Sequence, residues 1–239
     1  MGGVQSQLSI FNIFRRKKAT APVRQSVNFD QKLLDRDAVK VVQTIVKAGF
    51  EAYLVGGCVR DLLLGHRPKD FDIATNAKPE QVNKLFKRSR LIGRRFRLVH
   101  VMFSARKYLE VATFRSGQVK TAKSGVIVRD NCYGKIEEDV VRRDFRINAL
   151  YYDINTHEVS DYIDGLEDIN TRQIHIIGDP LVRFEEDPVR MIRAIRFQTK
   201  LDFHLSDEIK SAIHQQAPLL ANISPARLYE ECIKLFHNE

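Results

Sequence analysis

The chain has 239 residues, 44% of them hydrophobic, and a formal net charge of +9; that is enough for one sizeable domain or two small ones with a real core. No apolar run approaches the roughly 20 residues needed to span a bilayer, and no signal-peptide pattern is present. Cys58, Cys132 and Cys232 are isolated and lack CxxC spacing, which argues against a disulfide framework or a zinc site and fits a reducing cytoplasm.

Residues 1–32 read as a flexible basic arm, because Arg15, Arg16, Lys17, Lys18 and Arg24 face only one acid, Asp30, with no sustained periodicity. Leu8, Ile10, Phe11, Ile13 and Phe14 run directly into that basic cluster, a short amphipathic turn suited to weak contact with an anionic membrane surface or a partner. The opening MGGVQS also matches the N-myristoylation pattern. The location implied is cytoplasmic, peripheral at the inner membrane surface.

From Leu33 to Ala48, apolar residues at helical spacing (Leu34, Val39, Val42, Ile45, Val46) end at Gly49, predicting a helix with a glycine C-cap. A buried strand follows at Tyr53–Val55, and a second helix at Lys78–Lys87 buries Val82, Leu85 and Phe86. Leu98–Phe103 and Tyr108–Phe114 read as strands joined by a tight basic turn, and Lys120–Arg129 as a polar loop. Glu137–Leu150 reads as helix, Tyr151–Ile154 and Glu158–Tyr162 as a strand pair, and the chain beyond Gly178-Asp179-Pro180 as helical to its end. The fold class expected is α+β: a mostly antiparallel mixed sheet flanked by helices over 33–178, then an all-α segment over 179–239.

The run from Tyr53 to Thr75, YLVGGCVRDLLLGHRPKDFDIAT, is the most informative stretch. Gly56 and Gly57 after a buried strand allow a tight turn whose N–H groups are free for phosphate oxygens, and Arg60 adds positive charge. Asp70 and Asp72 are one residue apart, so on an extended segment both carboxylates share a face and suit hard divalent cations, while Phe71 and Ile73 point into a core. A glycine pair or a DxD pair alone is common in ordinary strand-turn-helix segments; their order and closeness point to a nucleoside triphosphate and metal site. Gln81–Leu109 then carries nine Lys or Arg residues and no acid, a surface suited to a polyanion, with RNA or DNA first among candidates.

Two further clusters follow. EEDVVRRDFRINAL, Glu137 to Leu150, sets Asp144 and Asn148 four residues apart, on one face of the predicted helix. EEDPVRMIRAIRF, Glu185 to Phe197, places Asp187, Arg190, Arg193 and Arg196 at three-residue steps as one polar stripe, with Met191, Ile192 and Ile195 opposite and Pro188 near the helix start. His66, His100, His175 and His204 show no metal-ligand spacing.

Together, in this order, the three clusters resemble the class II nucleotidyltransferase superfamily of tRNA CCA-adding enzymes and bacterial poly(A) polymerases, from about Leu33 to the C-terminus. The resemblance implies a catalytic head over 33–178 and a helical neck over 179–239 that recognises the base. It implies that Gly56, Gly57 and Arg60 hold the triphosphate, that Asp70 and Asp72 bind two magnesium ions and are catalytic together with Asp144, that Asp144 with Arg143 engages the nucleotide's sugar and phosphates, and that Asn148 is a further nucleotide contact. Asp187 and Arg190 would read the base, since a carboxylate accepts from an exocyclic amine and a guanidinium donates to ring nitrogen or carbonyl. Arg193 and Arg196 look like further nucleotide contacts, and Arg94, Arg95 and Arg97 like RNA contacts. Glu110 reads either as a third carboxylate of the metal site or as a strand-end acid.

Within the superfamily, LIGRRFRLVHVMF (Leu91–Phe103) and SPARLYEECIKLF (Ser224–Phe236) resemble the poly(A) polymerase branch. That branch implies addition of AMP from ATP to RNA 3′ ends, with no obligate protein partner; the alternatives are CCA addition to tRNA and a non-catalytic RNA-binding fragment. Cys58 stands where the family has a smaller residue. The family also continues past the neck with helical RNA-holding domains, so the resemblance implies a head-and-neck piece.

Overall fold

The computed structural model describes residues 21–93, 97–116, 120–121, 127–129 and 132–236. In chain order the elements are β1 (Val23–Ser26), α1 (Arg36–Lys47), β2 (Ala52–Val55), α2 (Gly57–Leu63), β3 (Asp72–Thr75), α3 (Pro79–Leu85), β4 (Ser89–Ile92), β5 (Leu98–Met102) and β6 (Tyr108–Thr113). A small ribbon, β7 (Lys120–Thr121) and β8 (Ile127–Arg129), leads to α4 (Ile136–Arg142), β9 (Tyr151–Asp153), β10 (Glu158–Asp161), α5 (Gly165–Asn170) and β11 (Gln173–Ile174). The C-terminal part holds α6 (Pro180–Glu186), α7 (Val189–Leu201), β12 (His204–Leu205), α8 (Asp207–Gln216) and α9 (Pro225–Phe236).

Eight strands form one sheet in the order β1-β10-β9-β2-β3-β6-β5-β4. Every neighbouring pair is antiparallel except β3 and β6, which run parallel with Asp72 opposite Glu110. This is the mixed, mostly antiparallel sheet expected from sequence. One face packs on α1, whose Ala38, Val41, Val42 and Ile45 are buried at one helical spacing. Asp35 caps that helix, its carboxylate accepting from the N–H groups of Asp37 (2.7 Å) and Ala38 (3.1 Å). A smaller cluster around Val55, Phe114, Val140 and Tyr151 joins the sheet to α4.

Several local expectations change. Within the stretch read as a flexible arm, Val23–Ser26 is the edge strand, paired with Glu158–Asp161 of β10; main-chain bonds to a neighbouring strand hold it, for which local apolar periodicity is no signal. Residues 1–20, with the amphipathic turn, the myristoylation pattern and the membrane contact read from them, lie outside the described residues. The single helix expected over Glu137–Leu150 stops at Arg142, and only a 3₁₀ turn, Arg146–Asn148, follows. The reason is tertiary: Phe145 bridges Ile176, Arg146 N–H donates to His175 O (3.0 Å), Ile177 N–H donates to Asp144 O (2.8 Å), and Phe145, Ile147 and Leu150 are fully buried.

The helix expected to run through Asp187 breaks there, because the residue before Pro188 is driven to extended backbone, φ −155° and ψ 93°. Finally, β12 interrupts the C-terminal helices with a two-residue strand parallel to β11. On α7 Met191 and Ile192 are buried as expected, but Ile195 is 39% exposed.

Candidate active site

Each functional side chain is delivered by the end of a regular element. β2 runs out at Val55, and Gly56 turns the chain with φ +83°, a left-handed conformation that favours glycine, before α2 begins at Gly57. A Cβ on Gly56 would sit 3.7 Å from both Arg143 Nη1 and Asp72 Oδ2, ordinary contact distances, so conformation rather than crowding requires glycine here.

Asp72 opens β3 at the same end of the sheet, opposite Val55 of β2 and Glu110 of β6. Its neighbours Phe71 and Ile73 are buried, which turns Asp72 out to the cavity, where it is open to solvent but enclosed by the walls. Burial pushes the Asp72 carboxyl up to about 6, with Glu110 and Asp70 adding to the rise and Arg143 opposing it. Asp70 is exposed and lines the same cavity. Glu110 is engaged by His100, Nε2 to Oε1 3.2 Å. Among the described residues no three His, Cys, Asp or Glu side chains cluster as a self-sufficient metal site.

Arg60, expected at the triphosphate, is buried and already engaged. Its Nε and Nη2 donate to Asp61 Oδ1 (2.8 and 2.6 Å), and its Nη1 donates to Asn148 Oδ1 (2.6 Å). Arg60 and Asn148 thus clamp α2 to the 3₁₀ turn beneath the cavity. The Phe197 ring of α7 lies 5.3 Å from the Arg60 guanidinium, 5.5 Å from that of Arg193 and 5.0 Å from that of Arg196, so one aromatic quadrupole orders three cations.

Arg143, just past α4, donates from Nη2 to Asp139 (3.0 Å) and from Nε to the Tyr151 hydroxyl (2.9 Å), which itself donates to Asp139 (2.7 Å). These partners aim its remaining edge at Gly56 and Asp72. Asp144 and Asn148, expected on one helical face, instead lie in the break after α4 and at the end of the 3₁₀ turn. Burial alone would raise the Asp144 carboxyl, but the Arg193 guanidinium holds it below its ordinary value. Both its oxygens are used: Oδ1 accepts from Phe145 N–H (2.8 Å), and Oδ2 accepts from Arg193 Nε (2.8 Å) and Nη2 (2.5 Å). Asp144, expected among the catalytic residues, therefore ties the head to α7 while it also lines the cavity.

The C-terminal helices close the other wall. Arg190 Nη1 donates to Arg183 O (2.7 Å) and Glu186 (3.0 Å). Asp187 Oδ2 accepts from Arg227 of α9 (2.7 Å). Glu231, also on α9 and buried, lies 3.7 Å from Arg193 and 3.6 Å from Arg196.

All twelve residues that the sequence placed at the nucleotide and metal site line one cavity of about 570 Å³. Its lining also includes residues that sequence reasoning passed over, among them Lys69, Lys200, Arg227 and Glu231. Lys69 had a signal, standing directly before the DFD triplet; Arg227 and Glu231 had none beyond the segment's resemblance, because only the packing of α9 on α7 brings them in. Basic side chains outnumber acidic ones nine to six in this lining, so the cavity favours a polyanion. Of the three arginines read as RNA contacts, Arg94 and Arg95 lie outside the described residues, and Arg97 donates to Glu80 (2.7 Å) on the exposed surface.

The mixed sheet with its Asp pair at one strand end defines a nucleotidyltransferase-like fold. Residues 52–175 match the family model described as "Poly A polymerase head domain", and residues 202–239 match one described as "Probable RNA and SrmB- binding site of polymerase A". The chain belongs to the poly A polymerase head-domain family.

Among its relatives, Poly(A) polymerase I of Haemophilus influenzae is 52% identical over 84% of this chain and 46% of its own length. Poly(A) polymerase I of Salmonella typhimurium is 49% identical over 92% of this chain and 49% of its own. Among solved structures, the Bacillus stearothermophilus CCA-adding enzyme in complex with CTP is similar with a TM-score of 0.72 at 40% identity, over 84% of this chain and 48% of that one. The chain thus spans about half the length of the curated relatives it matches.

Proposed function

We propose that the chain transfers AMP from ATP to the 3′ ends of RNA without a template. The observation that carries this reading is the convergence of the Asp70–Asp72 pair, the Gly56–Gly57 turn and an arginine-rich neck helix on one cavity, in a chain about half identical to poly(A) polymerases.

The donor set fits a pair of magnesium ions: two carboxylates at one strand end, one of them with its carboxyl raised to about 6 chiefly by burial and so relieved by a cation, with the remaining ligands left to phosphate oxygens and water. Asp70 and Asp72 would hold the metal, whose chemistry would be to lower the pKa of the RNA 3′-hydroxyl and neutralise the triphosphate. The chain's own residues supply binding and alignment. The first turn of α2 offers N–H groups without intrahelical partners, and Arg143, held by Asp139 and Tyr151, presents a fixed cation beside Asp72. The 3′-oxygen forms a bond to the α-phosphorus, the bond from that phosphorus to the bridging oxygen breaks, pyrophosphate leaves and the hydroxyl proton is lost. In-line positioning and charge stabilisation account for the rate, with no covalent enzyme intermediate.

The base would lie against α7, where Asp187 keeps lone pairs beyond those that Arg227 and the Val189 N–H use, and Arg190, seated by Glu186, keeps donors for a ring nitrogen. CCA addition is the second reading, favoured by the likeness to the CTP-bound enzyme. The test is extension of a short unstructured RNA and of a tRNA lacking its terminal CCA, with magnesium and each triphosphate separately, beside an Asp70→Ala control. A magnesium-dependent ladder with ATP alone supports polyadenylation; limited addition requiring CTP and a tRNA end replaces it with CCA addition; no extension of either RNA overturns both.

A further inference from the structure

Beyond the cavity, strand register assembles a second surface beside Asp72. In β3 and β6 Asp72 stands opposite Glu110, in β6 and β5 Glu110 stands opposite His100, and in β5 and β4 His100 stands opposite Arg90. Residues in register share a face, so these four form one row from the Asp pair to the sheet edge. Tyr108, two residues before Glu110, lies on that same face, while Val99, Val101, Leu109 and Val111 of the opposite face are buried.

The row carries an unusual pair. The Tyr108 and His100 rings are stacked, with centroids 4.1 Å apart and planes 16° apart, although Tyr108 is 48% exposed. His100 is fixed from beneath by Glu110, Nε2 to Oε1 3.2 Å. A half-exposed ring held flat by a second ring offers an aromatic face next to the catalytic carboxylates.

Neither Tyr108, His100 nor Glu110 lines the arginine-rich cavity. That cavity is lined at the sheet by Asp72 of β3 and by the residues just after β2 and before β9, whereas β6, β5 and β4, on the other side of β3 in the sheet order, contribute none of its lining. A transfer with two substrates needs the acceptor to reach the Asp pair from a side that the triphosphate leaves free. We propose that the Tyr108–His100 stack is the platform on which the 3′-terminal bases of the acceptor RNA stack, with Arg90 facing the strand's phosphates. The proposal rests on the nucleotidyl-transfer reading above. Stacking suits an acceptor of unspecified sequence, since every base has a π-face.

The test uses an RNA ending in 3′-deoxy 2-aminopurine, whose fluorescence is quenched by aromatic stacking and which cannot be extended, titrated with the whole chain and with Tyr108→Phe, Tyr108→Ala and Tyr108→Leu. Quenching is expected with the parent and Tyr108→Phe and lost in both the alanine and the leucine variants, the latter keeping apolar bulk should alanine disturb the fold. With extendable RNA, both ringless variants should show a roughly tenfold higher KM for RNA and an unchanged KM for ATP. Equal quenching in parent and leucine variant, or no quenching in the parent, overturns the platform. Magnesium-dependent ATP binding, measured on the same preparations, reports separately on the nucleotide site, so its failure would refute that reading and leave the quenching result to stand on its own.

Discussion

Arg193 of α7 donates from both Nε and Nη2 to one oxygen of Asp144, at 2.8 and 2.5 Å, across 49 residues of sequence. This fork fastens the helix expected to read the base to the head that carries the Asp pair, and two bonds from Arg183 Nη2 of α6 to the carbonyls of Arg142 (3.0 Å) and Arg143 (2.6 Å) fasten the helix before it. The distance between the residues proposed to read the base and those proposed to hold the phosphates is therefore set by a charge pair rather than by the chain connection alone.

Replacing Asp144 by Asn leaves Arg193 without its main partner in a partly buried site. It should cost about 2 kcal/mol of stability, read as a lower urea midpoint with an unchanged m value. The sign with pH follows from the direction of the shift. The folded Asp144 carboxyl is held below its ordinary value of 3.8, so its contribution is complete above that value and is lost as pH falls through the lowered one. The gap between parent and Asp144→Asn should be constant at neutral pH and close in strong acid.

Asp72 behaves oppositely. Its carboxyl is raised to about 6 in the fold, burial first and Glu110 next, so the metal-free protein favours the protonated form and loses stability as pH rises from about 4 through 6. Asp72→Asn should melt above the metal-free parent at pH 8 and near it at pH 4, while abolishing extension. Magnesium should raise the parent's melting temperature at pH 8 more than that of the variant.

Arg60→Lys keeps the charge but not the fork that spans Asp61 and Asn148. A loss of about 2 kcal/mol is expected, together with weaker ATP binding, because the 3₁₀ turn under the cavity loses its anchor. Chemical denaturation and calorimetric ATP titration measure the two effects; unchanged values in both would mean that Asn148 is held by something else.

Arg190→Ala removes a donor proposed to face the base and leaves the phosphate-side residues in place. The preference for ATP over CTP in single-nucleotide addition should fall about tenfold, with a smaller change in total triphosphate affinity. An unaltered ATP-to-CTP ratio would sink the base-reading role.

Much of this was legible locally. The alternation that buries Phe71 and Ile73 and exposes Asp70 and Asp72 is a property of any extended segment, and Gly49 and Gly56 mark turns because both adopt positive φ. Helix α1 could be read from its apolar spacing to within three residues at its start and one at its end. The failures share a cause. The Glu137–Leu150 helix was broken by main-chain bonds to residues 175–177, β1 was made a strand by β10, and β4, within a stretch read only as basic surface, was made one by β5. The first two depend on partners distant in the chain and the third on pairing with the next strand, none of which propensity and periodicity register.

The chemistry available here was written in covalent order and local backbone preference: the residue types, the spacing of the DxD pair, the glycine turn and the density of arginine all follow from them. Only the tertiary structure decided how each charge is spent. It turned Arg60 inward to clamp Asn148, set Asp144 against Arg193, brought Glu231 under Arg193 and Arg196, and laid Tyr108 on His100 beside Asp72. The physical reason is that a charged side chain leaving water takes whichever opposite charge the packing of distant elements brings within a few ångströms, and that distance does not exist until the sheet and the neck helices have come together.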